Sequence, residues 1–154
     1  MKLIDILPPE NISYDAPGGS KKRVLEHLSH FLNDRMMEVD ADELYLGLLA
    51  RERLGSTGIG EGIAIPHCRM ASCHKITGAL LKLSDPVDFD AIDGAPVDIV
   101  FALIVPEEQN DEHLQVLSAI AELLQEEDVR TQLREANSNE ALYQTTTANW
   151  TDQG

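Results

Sequence analysis

Val24, Leu25, Leu28, Phe31 and Leu32 recur at helical spacing, which predicts a helix capped by Ser20 and ending near Asn33-Asp34. A second stripe of Leu44, Tyr45, Leu48 and Leu49 follows Asp40 and Glu43, whose separation reads as a capping box with Asp in place of Ser or Thr. Gly55 ends that helix. Ile63 and Ile65 then alternate in a short strand, which Pro66 stops because proline lacks a backbone donor. Residues 76–83 form a strand closed by Asp85-Pro86, and Val87 and Phe89 begin another before a turn at Asp93-Gly94. Residues 97–105 are almost wholly apolar, as in a central strand covered on both faces, and Pro106 ends it. Leu114, Leu117, Ile120, Ala121 and Leu124 trace a further helix with Asn110 as its cap, followed by shorter helices over 129–135 and 139–145. Only 8–19 and the polar tail 145–154 read as loosely held.

Helices before and after a strand-rich middle predict an α/β fold, a mixed β-sheet flanked by helices. The 154 residues, 43% of them hydrophobic, fit one domain at about 150 residues per domain, with no need of disulfides to close its core. The longest apolar run, 99–105, falls far short of the roughly 20 residues that cross a bilayer, and no leader precedes it. A cytoplasmic protein without membrane insertion is expected. Twelve Lys+Arg against 27 Asp+Glu give a net charge of −15, which argues against nonspecific binding to nucleic acid or an anionic membrane. A basic or neutral protein partner suits that charge better.

The chemistry concentrates in residues 51–68, RERLGSTGIGEGIAIPHC, where four glycines lie between a helix end and a strand. Such a loop can turn several backbone N–H groups toward an anion. It is not a nucleotide loop, because Glu61 stands where a phosphate-binding lysine belongs. His67, just after a proline at a strand's end, either caps the sheet or projects into a cleft. If its Nδ1–H is tied to a carbonyl, Nε2 presents a lone pair able to accept a phosphoryl group, with no metal or cofactor required. His67, Cys68, Cys73 and His74 also offer four metal-ligating side chains, but their spacing matches no zinc pattern, and no metal is expected.

Glu52, six residues, Ile59-Gly60, two residues and the string 63–68, IAIPHC, resemble the active-site signature of the phosphotransferase-system IIA domains of the fructose and mannitol class. The resemblance covers about residues 3–146, including 89–106 and 112–124, and is strongest to the nitrogen-regulatory branch. It implies that His67 accepts a phosphoryl group at Nε2 from a histidine phosphocarrier protein. It also implies that His113 orients His67 or steadies the phosphoryl group, and that Arg51 lies near the active site. Ser56 and Thr57 are further candidates for holding phosphate through their hydroxyls. Glu61 is expected to face solvent. Cys68 occupies a place that is often glycine in the family.

The resemblance implies a phosphohistidine relay that signals by its phosphorylation state, with potassium-transport proteins or sensor kinases among the targets of the branch. The absence of a transporter or IIB segment after Gly154 favours a regulator. One alternative is a sugar-specific IIA component that passes phosphate to a IIB domain; another is a binding module that is never phosphorylated. Ile59, Ile63 and Met70 are expected to form an apolar docking face around His67.

Overall fold

The computed structural model describes residues 1–108 and 111–152. Its elements are α1 (Leu3–Ile6), β1 (Ile12–Ala16), α2 (Lys21–Arg35), α3 (Ala41–Leu54), β2 (Gly58–Gly60), β3 (Ile63–Ala64), β4 (His67–Met70), β5 (Thr77–Val87), β6 (Val97–Pro106), α4 (Asp111–Gln125), α5 (Glu127–Glu135) and α6 (Asn139–Asn149). The strands make one mixed sheet in the order β1-β5-β6-β3-β2, with β4 also paired to β6. β5 and β6 are antiparallel, whereas β1 runs parallel to β5, and β3 and β4 parallel to β6.

The helix caps lie where the sequence places them. Ser20 accepts from Arg23 N, and Asp40 Oδ2 accepts from Glu43 N at 2.9 Å, a contact whose loss costs about 1 kcal/mol. Gly55 caps α3, its N–H donating to Glu52 O. The expected Asn110 cap of α4 lies outside the described residues. Two apolar clusters sandwich the sheet. One holds Leu25, Leu28, Leu44 and Leu48 of α2 and α3, and the other holds Val116, Ile120, Leu124 and Leu133 of α4 and α5. β6 contributes alternately to both, Val100 and Ala102 to the first and Ile99, Phe101 and Leu103 to the second, which is why its sequence is apolar throughout. No described helix is long and apolar enough to cross a membrane.

Three segments depart from the pattern read along the chain. Residues 8–19 are not loose, because β1 pairs with β5 and Asn11 Nδ2 donates to Gly78 O at 3.0 Å. This pairing joins residues 67 positions apart, so no local signal announces it. The tail is also fastened: α6 continues to Asn149, Thr146 is buried, and Trp150 Nε1 donates to Met1 O. β5 passes through Pro86 rather than stopping at it. The register shifts between Lys82 and Val87, and a bulge tolerates a residue with no N–H to give.

Pro66, in turn, interrupts its strand without ending the pairing. Its carbonyl accepts from Leu103 N at 2.9 Å, and the chain resumes beside β6 as β4, with His67 opposite Leu103. His67 therefore opens a strand instead of trailing one.

Candidate functional site

β4 pairs with β6 on one side only, so His67 sits on the rim of the sheet. The end of α3, the start of β4, the last half of β6 and the first turn of α4 enclose a cleft of about 630 Å³ there. His67, Arg51, Arg69 and His113 bring nitrogen to it, and Leu54, Leu103, Val105, Leu114 and Leu117 supply apolar walls. No carboxylate lines it among the described residues, although the chain as a whole carries −15. Gly47 lets α3 close down on β4, since a Cβ there would lie 3.3 Å from Cys68 Sγ.

The imidazole of His67 folds back over Pro66, placing Nδ1 2.8 Å from Ile65 O. A carbonyl can only accept, so Nδ1 carries the proton and Nε2 keeps its lone pair. Arg51 donates to that nitrogen from Nε at 3.3 Å, and its Nη1 donates to Gly55 O at 2.9 Å. Burial lowers the pKa of His67. The hydrogen bond to Ile65 and the Glu52 carboxylate oppose that change, while the Arg51 charge adds to it. The net direction is downward, which keeps the ring neutral at pH 7. His113 is buried on the third residue of α4 and faces the same cleft.

The other candidates lie elsewhere. Ser56 donates its hydroxyl to Phe89 O and accepts from Gly58 N, and Thr57 donates its hydroxyl to Glu52 Oε2; neither lines the cleft. The glycine-rich segment is not an anion cradle either. Gly58 and Gly60 form a hairpin with β3, and the N–H groups of Thr57, Gly58 and Glu61 are given to Glu52, Ser56 and Asp93. These glycines are needed for space: a Cβ on Gly58 would lie 2.8 Å from Ala91 Cβ. Glu61 does face solvent, its side chain 65% exposed and 3.8 Å from Arg130.

The expected apolar face is also corrected. Ile63 and Met70 are buried in the two cores, and the exposed apolar side chains beside His67 are Leu54 and Leu114, 85% and 66% accessible. Burial raises the Cys68 thiol to about 12, so it remains protonated, and Cys73 Sγ donates to Lys75 O. The residue left without a role in the sequence reading is Glu52, a buried carboxylate next to Arg51. Its signal was its place at the head of the matched string.

A protonated Nδ1, an unprotonated Nε2 and an arginine facing it set a histidine lone pair beside a fixed positive charge. The chain belongs to the family "Phosphoenolpyruvate-dependent sugar phosphotransferase system, EIIA 2", whose model matches residues 5–148. It is thus a IIA protein of that system, a class of phosphoryl carriers. It is 51% identical over 144 residues to a nitrogen regulatory protein of Pseudomonas aeruginosa, covering 94% of each chain. It is 37% identical over 137 residues to a fructose-specific EIIA component of Haloferax volcanii, covering 89% of each. The crystal structure of nitrogen regulatory protein IIA-Ntr from Neisseria meningitidis superposes with a TM-score of 0.87 at 40% identity, covering 93% of this chain and 97% of that one. The mannitol IIA structure from Escherichia coli, at 22% identity and a TM-score of 0.74, shares the fold.

Proposed function

We propose that this chain, over a unit spanning about residues 3–146, accepts a phosphoryl group on Nε2 of His67 from a histidine phosphocarrier protein and signals by its phosphorylation state. The observation that carries this reading is the ring's tether: with Nδ1–H held by Ile65 O, Nε2 is the only imidazole nitrogen with a lone pair, and it opens on the cleft.

In the transfer, the donor's N–P bond breaks as a bond from Nε2 to phosphorus forms in line with it. As phosphorus approaches, Arg51 releases the Nε2 lone pair and turns to the equatorial oxygens, where the transferred charge spreads. His113 faces the same oxygens from α4. The Ile65 carbonyl holds the Nδ1 proton while the ring is cationic, and the proton leaves to solvent or stays to ease the return transfer. Positioning and charge compensation supply the catalysis. Leu54 and Leu114 offer the donor apolar contacts around a locally basic cleft. The phosphoryl group brings up to about two negative charges, enough to change how a partner meets this surface.

A nitrogen-regulatory role is favoured by the 51% identity to a protein of that name. Targets such as potassium-transport proteins or sensor kinases belong to that reading. The fructose-specific relative supports a second one, in which the group passes on to a IIB domain. Incubation with phosphoenolpyruvate, enzyme I and carrier, followed by intact-mass measurement at neutral pH, tests the acceptor. One phosphoryl group should appear on the wild type and none on His67→Ala. An unmodified wild type would leave a binding module that is never phosphorylated. Adding purified IIB domains then separates regulator from sugar component.

A further inference from the structure

We propose that Glu52 is a positioning residue for phosphoryl transfer, acting through the corner between α3 and β2 with Lys21 as its counter-ion; the proposal rests on His67 being the acceptor. Glu52 is 7% exposed and touches no reacting atom. Its Oε1 accepts from Thr57 N at 3.0 Å, its Oε2 accepts the Thr57 hydroxyl, and Lys21 Nζ from the first turn of α2 lies 3.2 Å away. Lys21 is itself fixed over the Phe89 ring at 5.5 Å and lies 3.3 Å from Asp90.

The consequence reaches the active site through three residues. Fixing Thr57 fixes the corner 55–57, and Gly55 O of that corner accepts Arg51 Nη1 at 2.9 Å. That bond orients the guanidinium so that Nε–H points at His67 Nε2. Nothing lies within 4 Å of where a Gly55 side chain would start, so no neighbour packs against that side of the residue. Hydrogen bonds fix the corner: Gly55 N to Glu52 O, Ser56 to Phe89, Ile65 N to Thr57 O, and the two bonds from Thr57 to the Glu52 side chain.

A buried carboxylate is an expensive way to close a short turn, and an apolar replacement of a buried ion pair is often neutral for stability. Its charge has a further effect here. It raises the proton affinity of His67, against burial and against Arg51. Arg69 and His113 line the same cleft from β4 and α4. Glu52 thus aims the arginine, and its charge offsets a small part of the lowering that burial imposes on His67.

The test compares Glu52→Gln, Thr57→Val and Thr57→Ser in the full chain, timing phosphorylation by phosphoenolpyruvate, enzyme I and carrier with intact mass. Glu52→Gln and Thr57→Val should slow acceptance at saturating carrier about tenfold or more, with the half-saturating carrier concentration unchanged. Thr57→Ser, which keeps the hydroxyl, should restore the wild-type rate. Imidazole NMR, which needs no phosphorylation, should show the His67 pKa lower in Glu52→Gln than in the wild type.

Wild-type rates in both variants, a loss seen only as weaker carrier binding, failure of Thr57→Ser to rescue, or an unmoved His67 pKa would each overturn the proposal. A wild type that never takes up phosphate would sink the acceptor reading instead, and the NMR comparison would still decide the role of Glu52.

Discussion

Arg51 donates its Nε–H to His67 Nε2 across 3.3 Å, so a guanidinium covers the one lone pair that the imidazole offers to the cleft. Removing the arginine has two opposed effects. Uncovering the nitrogen gains little, because a hydrogen bond this long is worth about 1 kcal/mol net or less. Losing an oriented donor to developing negative charge costs about a hundredfold or more. The second effect wins. Arg51→Ala should accept phosphate more slowly than the wild type by about twentyfold or more while keeping its melting temperature, measured by timed intact mass and calorimetry.

The lowered pKa of His67 ties stability to pH in a definite direction. Between the folded-state value and the unfolded value of about 6.5, the unfolded chain binds more protons. The contribution is therefore complete above pH 6.5 and is lost as pH falls toward the folded value. His27 is shifted the same way, by burial and by His30 and Arg35, so the wild-type curve alone does not isolate His67. The unfolding free energy of the wild type minus that of His67→Gln, followed by urea titration from pH 8 to 5, should fall as pH falls. A constant difference would remove the burial argument for a neutral ring.

Leu114 belongs to the helical stripe that marks α4 in the sequence, yet it is 66% exposed at the mouth of the cleft. Leu114→Asp should change stability by no more than about 0.5 kcal/mol. If the carrier docks against this wall, the same change should raise the half-saturating carrier concentration severalfold and leave the saturated rate alone. Unchanged carrier dependence would place the docking surface elsewhere.

Gly62 has φ of +79°, and a Cβ there would run into the Arg134 guanidinium and lie 2.8 Å from Asp98 Oδ1, within the pair by which α5 holds β6. Gly62→Ala should therefore destabilise the fold by about 1–3 kcal/mol, seen as a lower urea midpoint. Phosphate affinity should be unaffected.

What the sequence discloses follows from where each interaction is encoded. Ser20, Asp40 and Gly55 act within one turn of their own helix, so the ends of α2 and α3 could be read directly. β6 could be read because its apolar run records burial on both faces. β1 and the passage of β5 through Pro86 depend on partners far along the chain, and Pro8-Pro9, Gly18-Gly19 and Asp85-Pro86 all signal turns when read locally. At the site, His67, Arg51 and His113 were found by the resemblance and share the cleft. Ser56 and Thr57 were chosen for their hydroxyls, and only the folded corner reveals that Phe89 O and Glu52 already take those hydrogens. Glu52 shows the converse: Lys21, its ion-pair partner, meets it only in the folded chain.

The most direct test is the nitrogen on which phosphorus lands. Imidazole ¹⁵N spectra of His67, recorded before and after incubation with phosphoenolpyruvate, enzyme I and carrier, distinguish the two ring positions. The expected spectra show a neutral ring protonated at Nδ1 before the reaction and phosphorus coupled to Nε2 after it. Phosphorus on Nδ1, or on a residue other than His67, would contradict the assignment of the acceptor.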